Sequence, residues 1–409
     1  MNHKTVDKLS KPILVTLIFF LIAATLGLAM RSAFVLNMPE WFDYRHIQHA
    51  HSHVALLGWL FAIFYIIVIW AFELDWGQYR KLFWGLQFAV LGMLMSFPIT
   101  GYASVSILFS TVHILLSYFF VYKVWKDVST QVHGQIPVLF LRTSLFFLAL
   151  STLGTWALGP IMAAGLKGTA LYYASIQFYL HFQFNGWFIF VVLAIFFNRL
   201  YTYKVTADPR KSMIFYWILT ISTLLTYALA VTWSTPQLII FMINSIGVIL
   251  QVLALVFFMR LFVNTKASLR SNLSTYTYTV LWVALLALVL KTLIQTAVVI
   301  PAMAEISYSI RNFVIGFIHL LMLGGLSLFA FGMTAEIFCR PLSPTGTKVF
   351  VLGVVTTELL LFGQGVMQWQ GWGFMNYYYG MIATASIFII VGVVLILLDL
   401  YHKTQDSID

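Results

Sequence analysis

Apolar runs of about 20 residues recur along the whole chain and are separated by short polar segments. Twelve runs are centred near residues 24, 63, 91, 112, 148, 183, 222, 250, 289, 324, 358 and 387. A helix of this length spans roughly 30 Å of hydrocarbon, and lipid admits only helices or closed barrels. The pattern therefore predicts an all-α integral membrane protein, with residues 1–409 forming a single twelve-helix transmembrane domain.

Composition and charge support a membrane location. Hydrophobic residues make up 61% of the chain and charged residues 9%, and the net charge is +10. When the N-terminus is placed in the cytoplasm, most Lys and Arg residues fall on the cytoplasmic side, as the positive-inside rule requires. Both termini are then cytoplasmic. The basic charge is explained by the lipid bilayer, and no nucleic-acid partner is expected.

Three histidines lie at similar depths in predicted helices that run in the same direction. They are His53, His181 and His319, on the second, sixth and tenth helices, roughly 26 to 30 Å from the inner boundary at 1.5 Å per residue. Ionisable side chains inside a bilayer are rare and usually functional. A shared depth suits a metal or haem site, and two imidazoles make a low-spin electron-transfer haem. The alternative is that each histidine only hydrogen-bonds a neighbouring helix.

The second helix opens on a run of four histidines. At about 100° per residue, His46, His49 and His53 share one face, and His51 points nearly opposite to His53. The first face is a candidate metal site, and the other face is expected to meet lipid headgroups or water. The outer His46, His49 and His51 are candidate ligands for copper or zinc. A solvated polar helix start is the alternative.

Other polar residues fall inside the predicted spans. Lys291 in the ninth helix and Glu358 in the eleventh are each a candidate for a proton path or a coupling site. The alternatives are that each belongs to a structural pair, or that the lysine snorkels outward. Arg311 and Arg45 each lie eight residues outside a candidate haem ligand and are candidate partners of a haem propionate. Interfacial anchoring is the alternative role for both arginines.

Short motifs around the three histidines carry a family resemblance. They read His53-Val-Ala-Leu-Leu-Gly58, His319-Leu-Leu-Met-Leu-Gly324 and His181-Phe-Gln-Phe-Asn185-Gly186. Here the chain resembles the haem-copper oxidase subunit I superfamily, above all its nitric oxide reductase branch and NnrS-type membrane proteins. The resemblance implies a twelve-helix bundle of the subunit I type, with His53 and His319 as axial ligands of a low-spin haem b.

The resemblance carries further expectations. It implies a multi-pass protein of the bacterial inner (plasma) membrane that acts in electron transfer or in nitric oxide or oxygen chemistry. His181, with His49 or His113, would serve a second site for copper or another metal. Because Cys339 is the only cysteine, there is no attachment motif for a c-type haem. An electron donor would be another protein or a quinol, and a partner subunit or an oligomer is left open.

At three places the sequence differs from the pattern of the haem-copper oxidase family. Phe317 stands where the family has the histidine that binds the high-spin haem. The seventh helix has no histidine for copper, and Asn185 replaces the glutamate of the reductase branch. We therefore expect a relative of this superfamily that keeps the low-spin haem but lacks the usual ligands of the high-spin haem and of copper. Whether it is an enzyme is left open. The alternative is a proton-coupled secondary transporter that uses Lys291 and Glu358.

Overall fold

The computed structural model describes residues 3–205, 207–232 and 234–405. Within these ranges, twelve helices are long and apolar enough to cross a membrane. They are α1 (Lys8–Ser32), α2 (Tyr44–Ala71), α3 (Trp76–Thr100), α4 (Ser104–Asp127), α5 (Gln135–Ala163), α6 (Ala170–Thr202), α7 (Pro209–Thr232), α8 (Leu238–Asn272), α9 (Thr275–Val299), α10 (Arg311–Phe338), α11 (Pro344–Trp369) and α12 (Tyr378–Thr404). The twelve-helix prediction is confirmed.

Short polar side chains set the starts of several helices. Ahead of α2, the Asp43 carboxylate accepts the backbone N–H of His46 at 2.9 Å. This hydrogen bond holds the pKa of Asp43 below its usual value, and the backbone N–H of Lys211 has the same effect on the pKa of Asp208, ahead of α7. Such caps satisfy N–H groups that have no partner within the helix. These two helices therefore begin where a capping residue precedes the apolar run.

The chain divides into two compact units. Unit 1 comprises Met1–Phe119, Ser274–Ala284 and Ile315–Asp409, and unit 2 comprises Phe120–Leu273 and Leu285–Val314. The assignment of the whole chain to one domain, with cytoplasmic termini, stays a prediction from the sequence.

The core of unit 1 is built around α2, which packs against α1, α3 and α10. The Trp59 indole of α2 stacks on the Phe20 ring of α1 with their centroids 4.6 Å apart. Its N–H donates a hydrogen bond of 2.8 Å to the Ser327 hydroxyl of α10. A buried indole needs such an acceptor, so this bond fixes where α2 and α10 meet.

The core of unit 2 is built around α6, which packs closely against α5. At Gly154 of α5 there is no room for a side chain, because an added Cβ would lie 2.3 Å from the Ser175 carbonyl oxygen of α6. Small residues allow transmembrane helices to approach in this way. Gly154 therefore sets the spacing between the two helices.

We expect Gly154→Ala to lower the free energy of unfolding by about 1–3 kcal/mol, since the obstacle is backbone that a rotamer change does not move. Gly380→Ala on α12 is the control, because an added Cβ there meets no atom within 4 Å and no proline follows it. The control should be neutral or gain up to about 1 kcal/mol from helix propensity. Thermal unfolding of both variants in detergent measures the difference, and equal midpoints would contradict the packing argument.

Candidate histidine sites

Each of the three predicted histidines immediately precedes a π-helical segment. The segments are Val54–Phe61, Phe182–Phe188 and Leu320–Ser327, which follow His53, His181 and His319 in that order. π-Helical turns are rare and are found frequently at functional sites. They were not predicted from the sequence. The feature that the three sequences share is a glycine five residues after each histidine, which lies inside each π-helical segment.

In unit 1, both ring nitrogens of His53 have hydrogen-bond partners. Nδ1 lies 2.8 Å from the backbone oxygen of His49, and Nε2 lies 3.2 Å from the Tyr102 hydroxyl. A carbonyl oxygen only accepts, so Nδ1 carries the proton and Nε2 accepts the hydroxyl proton of Tyr102. The ring also packs on Phe97, with centroids 4.4 Å apart. His53 therefore faces α3 and the segment that follows it.

His51 points to the other side of α2, where it packs against α1. Its Nδ1 lies 2.8 Å from the Ala23 carbonyl oxygen and must donate the proton. The ring covers Gly27 so closely that an added Cβ would lie 3.0 Å from Cε1. This tautomer leaves the lone pair of Nε2 on the side of the ring away from Ala23. The sequence placed this face toward headgroups or water, whereas the ring packs on a neighbouring helix.

His319 on α10 belongs to the same group of side chains. Its Nδ1 is buried and has no hydrogen-bond partner. The ring interacts electrostatically with Arg31 and His51. Both oxygens of Glu358 are also buried without a hydrogen-bond partner, and this carboxylate interacts with the charge of Arg31. We call His51, His319, Arg31 and Glu358 the His319 cluster.

Arg31 is the member of the His319 cluster that was missed as a site residue. It lies in the last turn of α1 and donates a 2.5 Å hydrogen bond to the Ser386 hydroxyl of α12. The two arginines chosen from the sequence, Arg45 and Arg311, are exposed. Arg45 belongs to unit 1 and Arg311 to unit 2. The available signal for Arg31 was its place at the C-terminal end of an apolar run.

The remaining histidines of unit 1 do not converge on a point. The His49 ring packs on Tyr102 with centroids 4.5 Å apart, and His46 packs against Gly101. His113 of α4 is buried, lies edge-on to Phe61 at 5.2 Å, and has no hydrogen-bond partner for Nε2. Over the described residues, no three His, Cys, Asp or Glu side chains are grouped so that they could hold a metal ion.

In unit 2, His181 is part of a buried polar chain. Its Nε2 donates to the Thr223 carbonyl oxygen of α7 at 2.8 Å, and the Asn185 amide nitrogen lies 3.4 Å from Nδ1. Lys291 of α9 donates to the Asn185 amide oxygen at 2.7 Å and to the Gln295 amide oxygen at 2.8 Å. The sequence suggested His181 and Lys291 for separate roles. The structure joins them through one asparagine.

The comparison with known proteins supports the fold alone. No family model and no curated protein matches the sequence. A haem-copper terminal oxidase, determined as a dimer by cryo-electron microscopy, is similar in structure with a TM-score of 0.72. The match covers 99% of this chain and 84% of the oxidase chain, at 10% sequence identity. The chain therefore is a multi-pass membrane protein with a twelve-helix bundle of the haem-copper oxidase subunit I type.

Proposed function

We propose that this chain is a haem-binding, respiratory-type membrane protein of the bacterial inner membrane, with a low-spin haem b in unit 1. The haem would be held by His319 and by a histidine of α2. The observation that carries the proposal is the His319 cluster, in which two imidazoles on different helices keep nitrogens that no protein group engages. Two such imidazoles are the ligand set of a low-spin electron-transfer haem.

The choice between the two histidines of α2 rests on hydrogen bonding. The sequence motif predicts His53 as the axial ligand on α2. However, the Nε2 atom of His53 already accepts the hydroxyl proton of Tyr102. His51 has the arrangement usual for a metal-bound imidazole, with one N–H donated to a backbone carbonyl and the other nitrogen free. It is also the α2 histidine that interacts electrostatically with His319. These observations support His51 as the second axial ligand.

Arg31 fits the negative charge of the proposed cofactor. A haem carries two propionates, and a guanidinium is the side chain best suited to bind carboxylates. Arg31 interacts electrostatically with both His51 and His319. We propose Arg31 as the propionate partner, in preference to the exposed Arg45 and Arg311.

The proposed role is electron transfer or a related reaction of nitric oxide or oxygen. A bound haem b would supply one-electron chemistry, the histidines would hold its iron, and the surrounding apolar helices would exclude water. Cys339 is the only cysteine, so the chain carries no covalently attached haem of its own as a donor. We propose a separate electron-donor protein or a quinol in that role.

The test is a reduced-minus-oxidised visible spectrum of the full chain, purified in detergent after expression with added haem precursor. A pyridine haemochrome assay on the same sample identifies the haem type and its amount per protein. A sharp b-type α-band at stoichiometric haem is the expected result. A folded protein without haem would contradict the proposal and leave the transporter hypothesis, with Lys291 and Glu358, as the function to test.

A further inference from the structure

We infer that unit 2 holds a metal-free cationic site, in which the ammonium of Lys291 stands beside His181 in place of a second metal ion. The inference concerns the polar chain of α6, α7 and α9 and does not depend on the haem proposed for unit 1. It departs from the expectation that His181 ligates copper or another metal.

Both ring nitrogens of His181 are engaged by protein groups. Nε2 donates to the Thr223 carbonyl oxygen, which fixes the tautomer and makes Nδ1 the acceptor of the longer Asn185 contact. A metal ion binds a histidine through a nitrogen lone pair. Here Nδ1 has the lone pair, so a metal would have to displace the Asn185 amide and leave it without its acceptor.

The charge of Lys291 also opposes a metal at this place. Asn185 links the two groups, because its amide nitrogen faces His181 and its amide oxygen accepts the Lys291 ammonium at 2.7 Å. A copper ion on Nδ1 would therefore lie one amide group from a buried positive charge. Like charges repel strongly in a medium of low dielectric constant, and this repulsion would weaken metal binding.

The ligands around Lys291 suit an ammonium. Amide oxygens of Asn185 and Gln295 accept two of its N–H groups, and an ammonium has three to donate. Lys291 itself is only 2% exposed. Oxygen ligands from neutral amides are a poor set for copper, which prefers imidazole and sulfur. The site therefore takes a protonated amine as its cation and supplies no redox metal.

Metal analysis of the full chain tests the inference. The wild type and His181→Ala are expressed with added copper and purified without chelator, and copper per protein is measured. We expect the wild type and His181→Ala to contain the same amount of copper, because any that binds is held elsewhere. Stoichiometric copper in the wild type that His181→Ala removes would overturn the inference. If the alanine variant does not fold, His181→Gln replaces it, because glutamine can donate to Thr223 but is a poor copper ligand.

Thermal unfolding supplies the second readout. Lys291→Met keeps an unbranched side chain that is one atom shorter, but it leaves the Asn185 and Gln295 oxygens without this donor, so its unfolding midpoint should fall. Lys291→Arg, which keeps the charge and the donors, should recover part of the loss. Lys167→Met, at an exposed position, is the control and should leave the midpoint unchanged. An unchanged midpoint in Lys291→Met would overturn the role given to the ammonium.

Discussion

The His319→Ala variant is expected to lose the b-type haem spectrum, while its helices remain folded. His319 is the only histidine of α10, and without its imidazole a haem iron would lose one of two axial ligands. Its Nδ1 has no hydrogen-bond partner, so the substitution removes no internal hydrogen bond at that atom. The free energy of unfolding should therefore change by no more than about 2 kcal/mol. Haem per protein, measured by pyridine haemochrome, should fall to background.

His113→Ala is the matched control for this variant. His113 is also a buried histidine in unit 1 with a ring nitrogen that lacks a partner, but it packs against Phe61 and is not part of the His319 cluster. Its replacement creates a similar loss of volume and should keep the spectrum. If His319→Ala folds and retains stoichiometric haem, the proposed ligand on α10 is wrong. If both variants lose haem, the loss reflects general disruption of unit 1 and gives no support to His319 as a ligand.

The second large effect is expected at α2, where His51→Ala should abolish the haem spectrum and His53→Ala should keep it. The two histidines are two residues apart, so at about 100° per residue their side chains point to opposite sides of the helix. His51 faces α1 and has a free Nε2, whereas His53 is held by Tyr102. The same spectra and haemochrome assays on His51→Ala and His53→Ala decide which of the two histidines is the ligand.

A third variant keeps this test informative if His51→Ala fails to fold. His51→Met supplies a thioether, and a haem with one histidine and one methionine has a higher reduction potential than one with two histidines. A retained haem with a raised midpoint potential would identify position 51 as a ligand. The opposite pattern, in which His53→Ala loses haem and both His51 variants are normal, would show that the motif spacing is the better guide.

The positions of the helices were predictable because they depend on local sequence. An apolar run long enough to cross a bilayer must hydrogen-bond its backbone internally, whatever its neighbours are. For this reason the twelve runs correspond to α1–α12, and the ionisable Lys291 and Glu358 were correctly placed inside spans. The type of bundle also followed from the resemblance of three short motifs, although only the structural comparison confirms it.

The side chains of the functional site were harder to predict from the sequence than the positions of the helices. Helical spacing shows that His51 and His53 point apart, but not which of them meets another histidine. Arg45 and Arg311 were chosen by their distance along the chain from a histidine, whereas it is the charge of Arg31 on α1 that acts on His319. Contacts between residues on different helices leave no periodic trace in a single sequence.

The amino-acid sequence alone was sufficient to establish a membrane protein of twelve helices with ionisable groups buried at a few places. Those properties follow from the free energy of transferring each segment into lipid, which is a sum over neighbouring residues. The partners of each buried group follow from how helices pack. Packing places the Tyr102 hydroxyl at Nε2 of His53, directs the Nδ1 proton of His51 to Ala23, and leaves the buried Nδ1 of His319 without a hydrogen-bond partner. It also joins Lys291 to His181 through Asn185. The chemistry available to each histidine depends on these partners, because a nitrogen that already shares its lone pair in a hydrogen bond has none left for a metal.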